Sequence, residues 1–251
     1  MSRGVLVTGA AGLGRAVARK FAERGDRVAV HYNSSQAEAE RTLESLPGKG
    51  HALIRGDITT DARHIADTAE EALGGVDVLV NNAAVVTTTD NAHPVADSTF
   101  EHWHQVWRQT VAVNLLGAAD VTYCVARHMI DRGAQGHIVN VGSRGAFRGE
   151  PDHPAYGATK AALHSLGQSL AVSLAPHGIA VASVAPGFIA TDRVADWLTG
   201  ERGDALRAQS PFGRVARPEE NADAIVYLAD PGSSWASGAI LDLNGASYLR
   251  T

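Results

Sequence analysis

Short, almost entirely apolar runs alternate with longer helical patterns along the whole chain. This alternation is typical of repeated strand-helix-strand units and of a parallel sheet. The runs are apolar at nearly every position, which indicates that helices cover both faces of the sheet. The sequence therefore predicts the α/β class, with a doubly wound, seven-stranded parallel sheet between two layers of helices.

The predicted elements cover most of the chain, and no linker or internal repeat interrupts them. Strands are predicted at 4–8, 27–32, 51–55, 76–80, 137–141, 180–185 and 239–243. Helices are predicted at about 13–24, 36–46, 61–73, 99–131, 154–176 and 218–229. We expect residues 1–251 to form a single domain. Two irregular segments, 85–98 and 187–215, are expected to flank a bound substrate, as long segments at the carboxyl edge of a sheet often do.

Charge and cysteine content narrow the expected partners. The 251 residues carry a net charge of -5, without a clustered run of lysine and arginine. We therefore expect a small-molecule partner, and neither nucleic acid nor a membrane surface. Cys124 is the only cysteine, so an internal disulfide or a cysteine-based zinc site is excluded. The N-terminus lacks the apolar stretch of a signal peptide, and we expect a cytoplasmic protein without a metal.

A glycine-rich turn connects the first predicted strand to the first predicted helix. It contains Gly9, Gly12, Leu13 and Gly14. Glycines let the backbone approach a pyrophosphate closely, and a helix N-terminus adds free N–H groups and the positive end of its dipole. This position in a parallel α/β domain predicts a Rossmann-type dinucleotide site.

The end of the second predicted strand bears on which dinucleotide this site prefers. Sites selective for NAD carry an acidic residue here that holds the ribose 2′-hydroxyl. This chain has Tyr32, Asn33 and Ser34, which offer hydrogen-bond donors and no carboxylate that would repel a 2′-phosphate. We therefore expect NADP(H) in preference to NAD(H), with NAD(H) left open. Arg15 either adds a positive charge to the site or is a solvated helix residue.

Tyr156, Lys160 and Ser143 are the main candidates for catalysis. In the predicted helix at 154–176, Tyr156 and Lys160 are one turn apart on the same face. A cation beside the phenol lowers the tyrosine pKa from its usual value of about 10, so that the phenol can exchange protons near neutral pH. Taken alone, a tyrosine and a lysine at this spacing are more often helix residues without a catalytic role. The surrounding motifs favour catalysis here.

Together these motifs resemble the short-chain dehydrogenase/reductase family over nearly the whole chain. Ser143, Tyr156 and Lys160 fall at the spacing of the family's catalytic residues, and Asn114 matches its active-site asparagine. The resemblance assigns further cofactor contacts to Asp57, Ile58, Asn82, Ala83, Ala84, Tyr156, Lys160, Pro186, Gly187, Ile189 and Thr191. The C-terminal segments are most similar to bacterial 3-oxoacyl-carrier-protein reductases and their many relatives.

The resemblance implies hydride transfer between a nicotinamide and a carbonyl carbon. Tyr156 would give a proton to the carbonyl oxygen, and Ser143 would hydrogen-bond the same oxygen. Lys160 would lower the tyrosine pKa and bind the nicotinamide ribose, while Asn114 would hold a water that relays protons. The implied substrate is a ketone or 3-oxoacyl group, or a secondary alcohol in the reverse direction. The family also leads us to expect a homo-oligomer, either a tetramer or a dimer.

Two departures from the family pattern concern the cofactor site. The glycine turn reads Thr-Gly-x-x-Gly-x-Gly, one residue shorter than the family's turn, and this deletion must reshape the turn over the pyrophosphate. Ala84 replaces the last glycine of the Asn-Asn-Ala-Gly motif and would be strained if that position needs a positive φ. An alternative function is therefore kept: a non-catalytic or weakly active dinucleotide-binding relative with a regulatory or structural role.

Candidate substrate contacts lie mainly between Ser143 and Tyr156. The candidates are Arg144, Phe147, Arg148 and His153, together with Val85, Val86, Phe188 and Trp197 on the irregular segments. Two arginines would attract an anionic or phosphopantetheine-linked substrate, although such arginines are more often simply solvated.

Overall fold

A parallel sheet forms the centre of the molecule. The structure is a computed structural model and describes residues 2–250. The strands are β1 (Gly4–Thr8), β2 (Arg27–Tyr32), β3 (Ala52–Arg55), β4 (Val78–Asn81), β5 (Gly136–Val141), β6 (Ile179–Pro186) and β7 (Ile240–Leu243). Within the described residues these seven strands are bonded in the order β3-β2-β1-β4-β5-β6-β7, and every neighbouring pair is parallel. The predicted fold class is confirmed, and each predicted strand overlaps an observed one.

Helices connect the strands on both faces of the sheet. They are α1 (Leu13–Glu23), α2 (Gln36–Glu44), α3 (Ala62–Leu73), α4 (Phe100–Val111), α5 (Ala118–Asp131), α6 (Gly145–Arg148), α7 (Pro154–Leu174), α8 (Gly200–Ala208) and α9 (Pro218–Leu228). The helix predicted at 99–131 is α4 and α5 joined by a π-helical segment, Ala112–Gly117, whose turns are wider than those of an α-helix. No helix between residues 2 and 250 has the length and apolar character needed to cross a membrane.

Alternate residues of the strands pack into two hydrophobic clusters, one on each face of the sheet. Val5 and Val7 of β1 belong to a cluster with α1 and α9, which includes the fully buried Phe21. Leu6 points to the opposite face and belongs to a cluster with α3 and α5, which includes Ile65. Both faces are thus withdrawn from water, which explains why the strands are apolar at nearly every position.

The strand order reverses at β1, and this reversal locates the candidate site. β1 pairs with β2 on one side and with β4 on the other. Because α1 packs on one face and α5 on the other, the connections that leave β1 and β4 run to opposite sides of the sheet. Such a switch point opens a crevice at the carboxyl ends of the strands, where proteins of this architecture bind ligands.

The two segments predicted to be irregular both follow strands at this edge. Residues 85–98 form turns without a helix or strand. Residues 187–215 include a short parallel bridge from Ile189 to Ala216, a 3₁₀ turn at Asp192–Leu198, and α8. Only the second segment therefore contains regular structure.

Candidate active site

A cavity of about 810 Å³ lies at the carboxyl edge of the sheet, where the loops that follow the strands meet. Most of the predicted site residues line it. They are Gly9, Gly12, Leu13, Tyr32, Asn33, Ser34, Asp57, Ile58, Asn82, Ala83, Ala84, Ser143, Tyr156, Lys160, Pro186, Gly187, Ile189 and Thr191. The exceptions are Gly14 and Asn114, which do not line the cavity.

The glycine turn after β1 has the backbone shape of a phosphate cradle. Gly9 and Gly12 have φ angles of 84° and 59°, which side chains other than glycine rarely allow. A Cβ atom on Gly12 would lie 3.2 Å from Cγ2 of Thr191, so the turn and the segment after β6 approach each other closely. Gly12 has no side chain with which to cap α1, which begins at Leu13. The open N-terminus and the close backbone fit a dinucleotide pyrophosphate.

Gly14 is predicted to contact the cofactor, but its place in the structure indicates a packing role. A Cβ atom at this position would lie 1.8 Å from the carbonyl oxygen of Gly9. Because α1 crosses directly behind the turn, only glycine lets the helix approach it this closely. Gly14 therefore affects the shape of the turn through its close packing against Gly9.

The segment after β4 holds the glycine turn in place. Asn82 Nδ2 donates hydrogen bonds to the carbonyl oxygens of Thr8 and Gly9, at 2.9 and 3.1 Å. Thr8 Oγ1 in turn accepts bonds from the backbone N–H groups of Asn82 and Ala83, at 2.9 and 3.0 Å. The strain considered for Ala84 is not found, since Ala246 is the only non-glycine residue with a positive φ among residues 2–250.

The polar groups after β2 and β3 meet at one end of the cavity. Asn33 Nδ2 donates a hydrogen bond of 3.1 Å to Asp57 Oδ2. The backbone N–H and the hydroxyl of Thr59 donate to Asp57 Oδ1, at 2.8 and 2.7 Å. These bonds, from the backbone of Thr59 first, lower the pKa of Asp57 and keep its carboxylate charged.

Glu38 is a cavity residue that the sequence analysis did not identify. It lies in the first turn of α2, beyond the end of β2 at which an acidic residue was sought. Arg15 Nη2 pairs with Glu38 Oε2 at 2.6 Å, and Arg41 pairs with the other carboxylate oxygen. Arg15 itself does not line the cavity, and its Nη1 lies 3.7 Å from Asp192 Oδ2.

The three candidate catalytic residues also line the cavity. Tyr156 and Lys160 stand on α7, and Ser143 follows β5. Lys160 Nζ donates a hydrogen bond of 2.7 Å to the carbonyl oxygen of Val141 and lies 5.7 Å from the centre of the Tyr156 ring. Burial lowers the pKa of Lys160 to about 8. Burial also raises the pKa of Tyr156 to about 12, an effect that the Ser143 hydroxyl opposes. The predicted lowering of the Tyr156 pKa by Lys160 is therefore not found: desolvation of the phenol is the largest effect on this pKa, and the opposing effect comes from Ser143.

Asn114 stands on the π-helical segment, with only 1% of its surface exposed. Its Oδ1 accepts a hydrogen bond of 2.7 Å from the backbone N–H of Val85, and its Nδ2 donates one of 3.3 Å to Thr159 Oγ1. Thr159 Oγ1 donates to the carbonyl oxygen of Tyr156 at 3.0 Å. Asn114 thus connects the loop after β4 to the helix turn that carries Tyr156 and Lys160. The sequence analysis did not identify Thr159.

Comparison with known proteins shows the family of this chain. A family model described as Enoyl-(Acyl carrier protein) reductase matches residues 9–245. The chain is 36% identical over 252 residues to an L-rhamnose 1-dehydrogenase (NAD(P)(+)) of Sphingomonas sp. (strain SKA58), a match that covers 98% of this chain and 96% of that protein. The chain belongs to the short-chain dehydrogenase/reductase family. It is accordingly an NAD(P)-dependent dehydrogenase or reductase.

Other members of the short-chain dehydrogenase/reductase family are similar over the same length. The 3-oxoacyl-[acyl-carrier-protein] reductase FabG of Vibrio cholerae is 36% identical over 248 residues, which cover 97% of this chain and 96% of that protein. The crystal structure of acetoin dehydrogenase YohF from Salmonella typhimurium superposes with a TM-score of 0.84 and 30% identity, covering 98% of this chain and 96% of that one. None of these likenesses favours the non-catalytic alternative.

Nearly all the predicted substrate contacts line the cavity, and the part that they line is the proposed substrate end of this short-chain dehydrogenase/reductase. The lining residues are Arg144, Arg148, His153, Val85, Val86, Phe188 and Trp197. Phe147 is the exception, because its ring points away from the cavity and stacks on His164 at 5.3 Å. Arg202 of α8 also lines this end and lies 3.7 Å over the Trp197 ring.

Metal ligation has no visible basis in the part of the chain that the structure describes. There, no group of three or more histidine, cysteine, aspartate or glutamate side chains is arranged to hold an ion.

Proposed function

We propose that this protein is an NADP-dependent oxidoreductase that reduces a ketone or 3-oxoacyl group, or oxidises the corresponding secondary alcohol. The observation that carries the proposal is the placement of Tyr156, Ser143 and Lys160 on one wall of the cavity whose other end is the glycine cradle. The proposed proton donor, Tyr156, and the glycine turn that would hold the dinucleotide thus line the same cavity. The names of the relatives refer to L-rhamnose, a 3-oxoacyl carrier protein and acetoin, so we define the substrate only by its carbonyl or alcohol group.

The cofactor would extend along the carboxyl edge of the sheet. The glycine turn would hold the pyrophosphate, with Asp57 and Ile58 near the adenine and Asn33 and Ser34 near its ribose. The segment from Pro186 to Thr191 faces the same cavity from the other side. When bound, the nicotinamide supplies the hydride in reduction and accepts it in oxidation.

The protein's own part in the reaction is proton transfer and orientation. Tyr156 Oη gives a proton to the substrate oxygen during reduction, and Ser143 Oγ hydrogen-bonds the same oxygen. Lys160 adds a positive charge next to Tyr156, which lowers the free energy of the phenolate left behind. Asn114 fixes the loop after β4 against α7 and relays protons towards Lys160 through a bound water. General acid catalysis of this kind typically contributes about 10²- to 10⁴-fold in rate.

The preference for NADP(H) rests on the residues after β2. Tyr32, Asn33 and Ser34 offer donors to a 2′-phosphate, and no carboxylate occupies the end of that strand. Glu38 acts against this preference, but two arginines neutralise it.

The Tyr156→Phe variant tests the proposed function. It should lose at least about 100-fold in turnover of a carbonyl substrate because the proton donor is gone. NADPH should still raise its melting temperature, because the cradle is intact. Tyr227→Phe, which alters an exposed tyrosine on α9 outside the cavity, is the matched control. Wild-type turnover in Tyr156→Phe would contradict the assigned role.

We also propose a cytoplasmic, single-domain protein that forms a homo-oligomer, a tetramer or a dimer. The single cysteine, Cys124, is compatible with a reducing compartment. Exposed apolar side chains support association: Tyr123 of α5 and Val172 of α7 are 63% and 79% exposed. Light scattering after gel filtration measures the mass directly, and a monomer at micromolar concentration would contradict the oligomer.

A further inference from the structure

Two guanidinium groups converge on one neutral oxygen at the substrate end of the cavity. Nη2 of Arg144 donates a hydrogen bond to Gln209 Oε1, and Nη1 of Arg148 lies 3.4 Å from the same atom. Like charges brought together in this way repel each other, and an amide oxygen carries only a partial negative charge. An anionic oxygen at this point would be a stronger partner for both groups.

Arg144 is buried, with 6% of its surface exposed. Its other side-chain partner is also neutral, the hydroxyl of Ser247. Within residues 2–250 it forms no ion pair with a carboxylate, whereas Arg148 has Glu150 at a distance of 4.0 Å. Burial and the neighbouring Arg148 lower the pKa of Arg144 by more than the carboxylate of Glu150 raises it. Buried charges are normally paired, so a bound anion would stabilise the buried charge of Arg144.

The position of the two arginines relates them to the reacting centre. Both line the same cavity as Ser143 and Tyr156, and Arg144 directly follows Ser143 in the chain. The backbone N–H of Arg144 donates a hydrogen bond of 2.9 Å to the carbonyl oxygen of Pro186, which fixes the start of its side chain. Gln209 directly follows α8, in the segment 187–215 that covers the substrate end. An anion held here would belong to the substrate.

We propose that the substrate carries an anionic oxygen group, a carboxylate or a phosphate, that Arg144 and Arg148 bind while the carbonyl group lies against Tyr156. This inference rests on the proposed reductase function and adds a substrate class to it. The anion takes the place at which Gln209 Oε1 meets both guanidinium groups, and the planar fork of arginine suits either anion. Arg144, held from behind by Ser247, orients the group, and Arg148 is the more exposed of the two.

The test compares ketones that share a carbonyl group and differ in charge. The carboxylate arm uses 4-oxopentanoate and its methyl ester, and the phosphate arm uses dihydroxyacetone phosphate and dihydroxyacetone, each with saturating NADPH. The same pairs are measured with Arg148→Gln and with the control Arg127→Gln, which alters an exposed arginine of α5 outside the cavity. A second measurement follows the melting temperature of the NADPH complex with glutarate or inorganic phosphate.

We expect the wild-type protein to favour the charged member of one pair in kcat/KM. Arg148→Gln should reduce this preference about 10- to 100-fold, the usual effect of losing a hydrogen bond to a charged group, and Arg127→Gln should keep it. The arm that shows the preference identifies the anion. Turnover without any preference for the charged ketones would overturn the inference and leave the reductase function intact.

If no ketone is reduced, the melting temperatures of the NADPH complex test the anion site instead. Stabilisation by glutarate or phosphate that disappears in Arg148→Gln would then support the anion site, although the missing turnover would count against the proposed reductase. Equal melting temperatures with and without these anions would refute the site.

Discussion

Nε2 of His93 accepts a hydrogen bond of 3.1 Å from the backbone N–H of Ala155, the residue directly before Tyr156. The bond satisfies a free N–H group in the first turn of α7. His93 Nδ1 donates to the carbonyl oxygen of Asn91 at 2.8 Å, and its own backbone N–H donates to the carbonyl oxygen of Asp152 at 2.8 Å. The irregular segment 85–98 is therefore attached to the start of the helix that carries Tyr156.

His93→Ala should lower the free energy of unfolding by about 1 to 3 kcal/mol, because it leaves buried hydrogen-bonding groups without partners. It should also lower turnover, since the start of α7 loses its attachment. His93→Gln, whose amide oxygen accepts hydrogen bonds, should recover part of both. Urea unfolding and initial rates measure the two effects, with the exposed His104→Ala as control. Equal stability of His93→Ala and the wild type would show that the bond is unimportant.

His164 should make the protein less stable as the pH falls. It is 2% exposed, and burial lowers its pKa from 6.5 to about 4. Below pH 6.5 the unfolded chain binds a proton that the folded protein refuses, so stability present above pH 6.5 is lost towards pH 4. At pH 5 this difference amounts to about 2 kcal/mol.

Urea unfolding at pH 7.5 and pH 5 measures this loss in the wild type and in His164→Leu. Histidines elsewhere contribute equally to both proteins, so the difference between the two pH dependences isolates His164. The variant should lose about 2 kcal/mol less than the wild type between these pH values. The same loss in both proteins would contradict the low pKa of His164.

Glu38→Gln should tighten NADPH binding by about 2- to 5-fold and leave NADH binding nearly unchanged. The variant removes a carboxylate from the cavity and breaks the ion pair between Arg15 and Glu38, and partly exposed charges contribute on the order of 1 kcal/mol or less. Fluorescence titration gives both dissociation constants. Glu40→Gln on the same helix, an exposed position outside the cavity, is the matched control. Equal changes for NADPH and NADH would show that Glu38 does not sense the 2′-phosphate.

Gly14→Ala should destabilise the fold by roughly 1 to 3 kcal/mol, because its Cβ atom would lie 1.8 Å from the carbonyl oxygen of Gly9. NADPH affinity should fall as well, since relief of this clash displaces the cradle. Gly232→Ala is the control, because its Cβ atom would find its nearest neighbour at 3.4 Å. Chemical unfolding and an NADPH titration follow the two effects. A Gly14→Ala protein as stable as Gly232→Ala would fail this expectation.

The fold could be predicted from the sequence because strands buried on both faces are apolar throughout, and each of the seven overlaps its predicted position. The cavity residues after β1 and β4 could be predicted because their motifs depend on local backbone shape. The roles of Glu38 and Thr159 depend on how separate helices meet across the sheet edge. Periodicity describes one element at a time and contains no signal for such contacts.

The pKa of Tyr156 illustrates another limit of sequence analysis. The spacing of Tyr156 and Lys160 predicts that they share one face of a helix, and both belong to α7 and line the cavity. The spacing does not reveal that Lys160 Nζ donates to Val141, nor how strongly the phenol is desolvated. Electrostatic effects depend on these three-dimensional distances and on burial.

The π-helical segment Ala112–Gly117 has a consequence for protein design. An α-helix places successive residues about 100° apart, so the wider turns of this segment change the direction in which Asn114 points. A designer who copies the asparagine and its neighbours into a regular helix would transfer the amide without its orientation towards Val85 and Thr159. The irregular backbone is therefore the part of this motif that has to be engineered first.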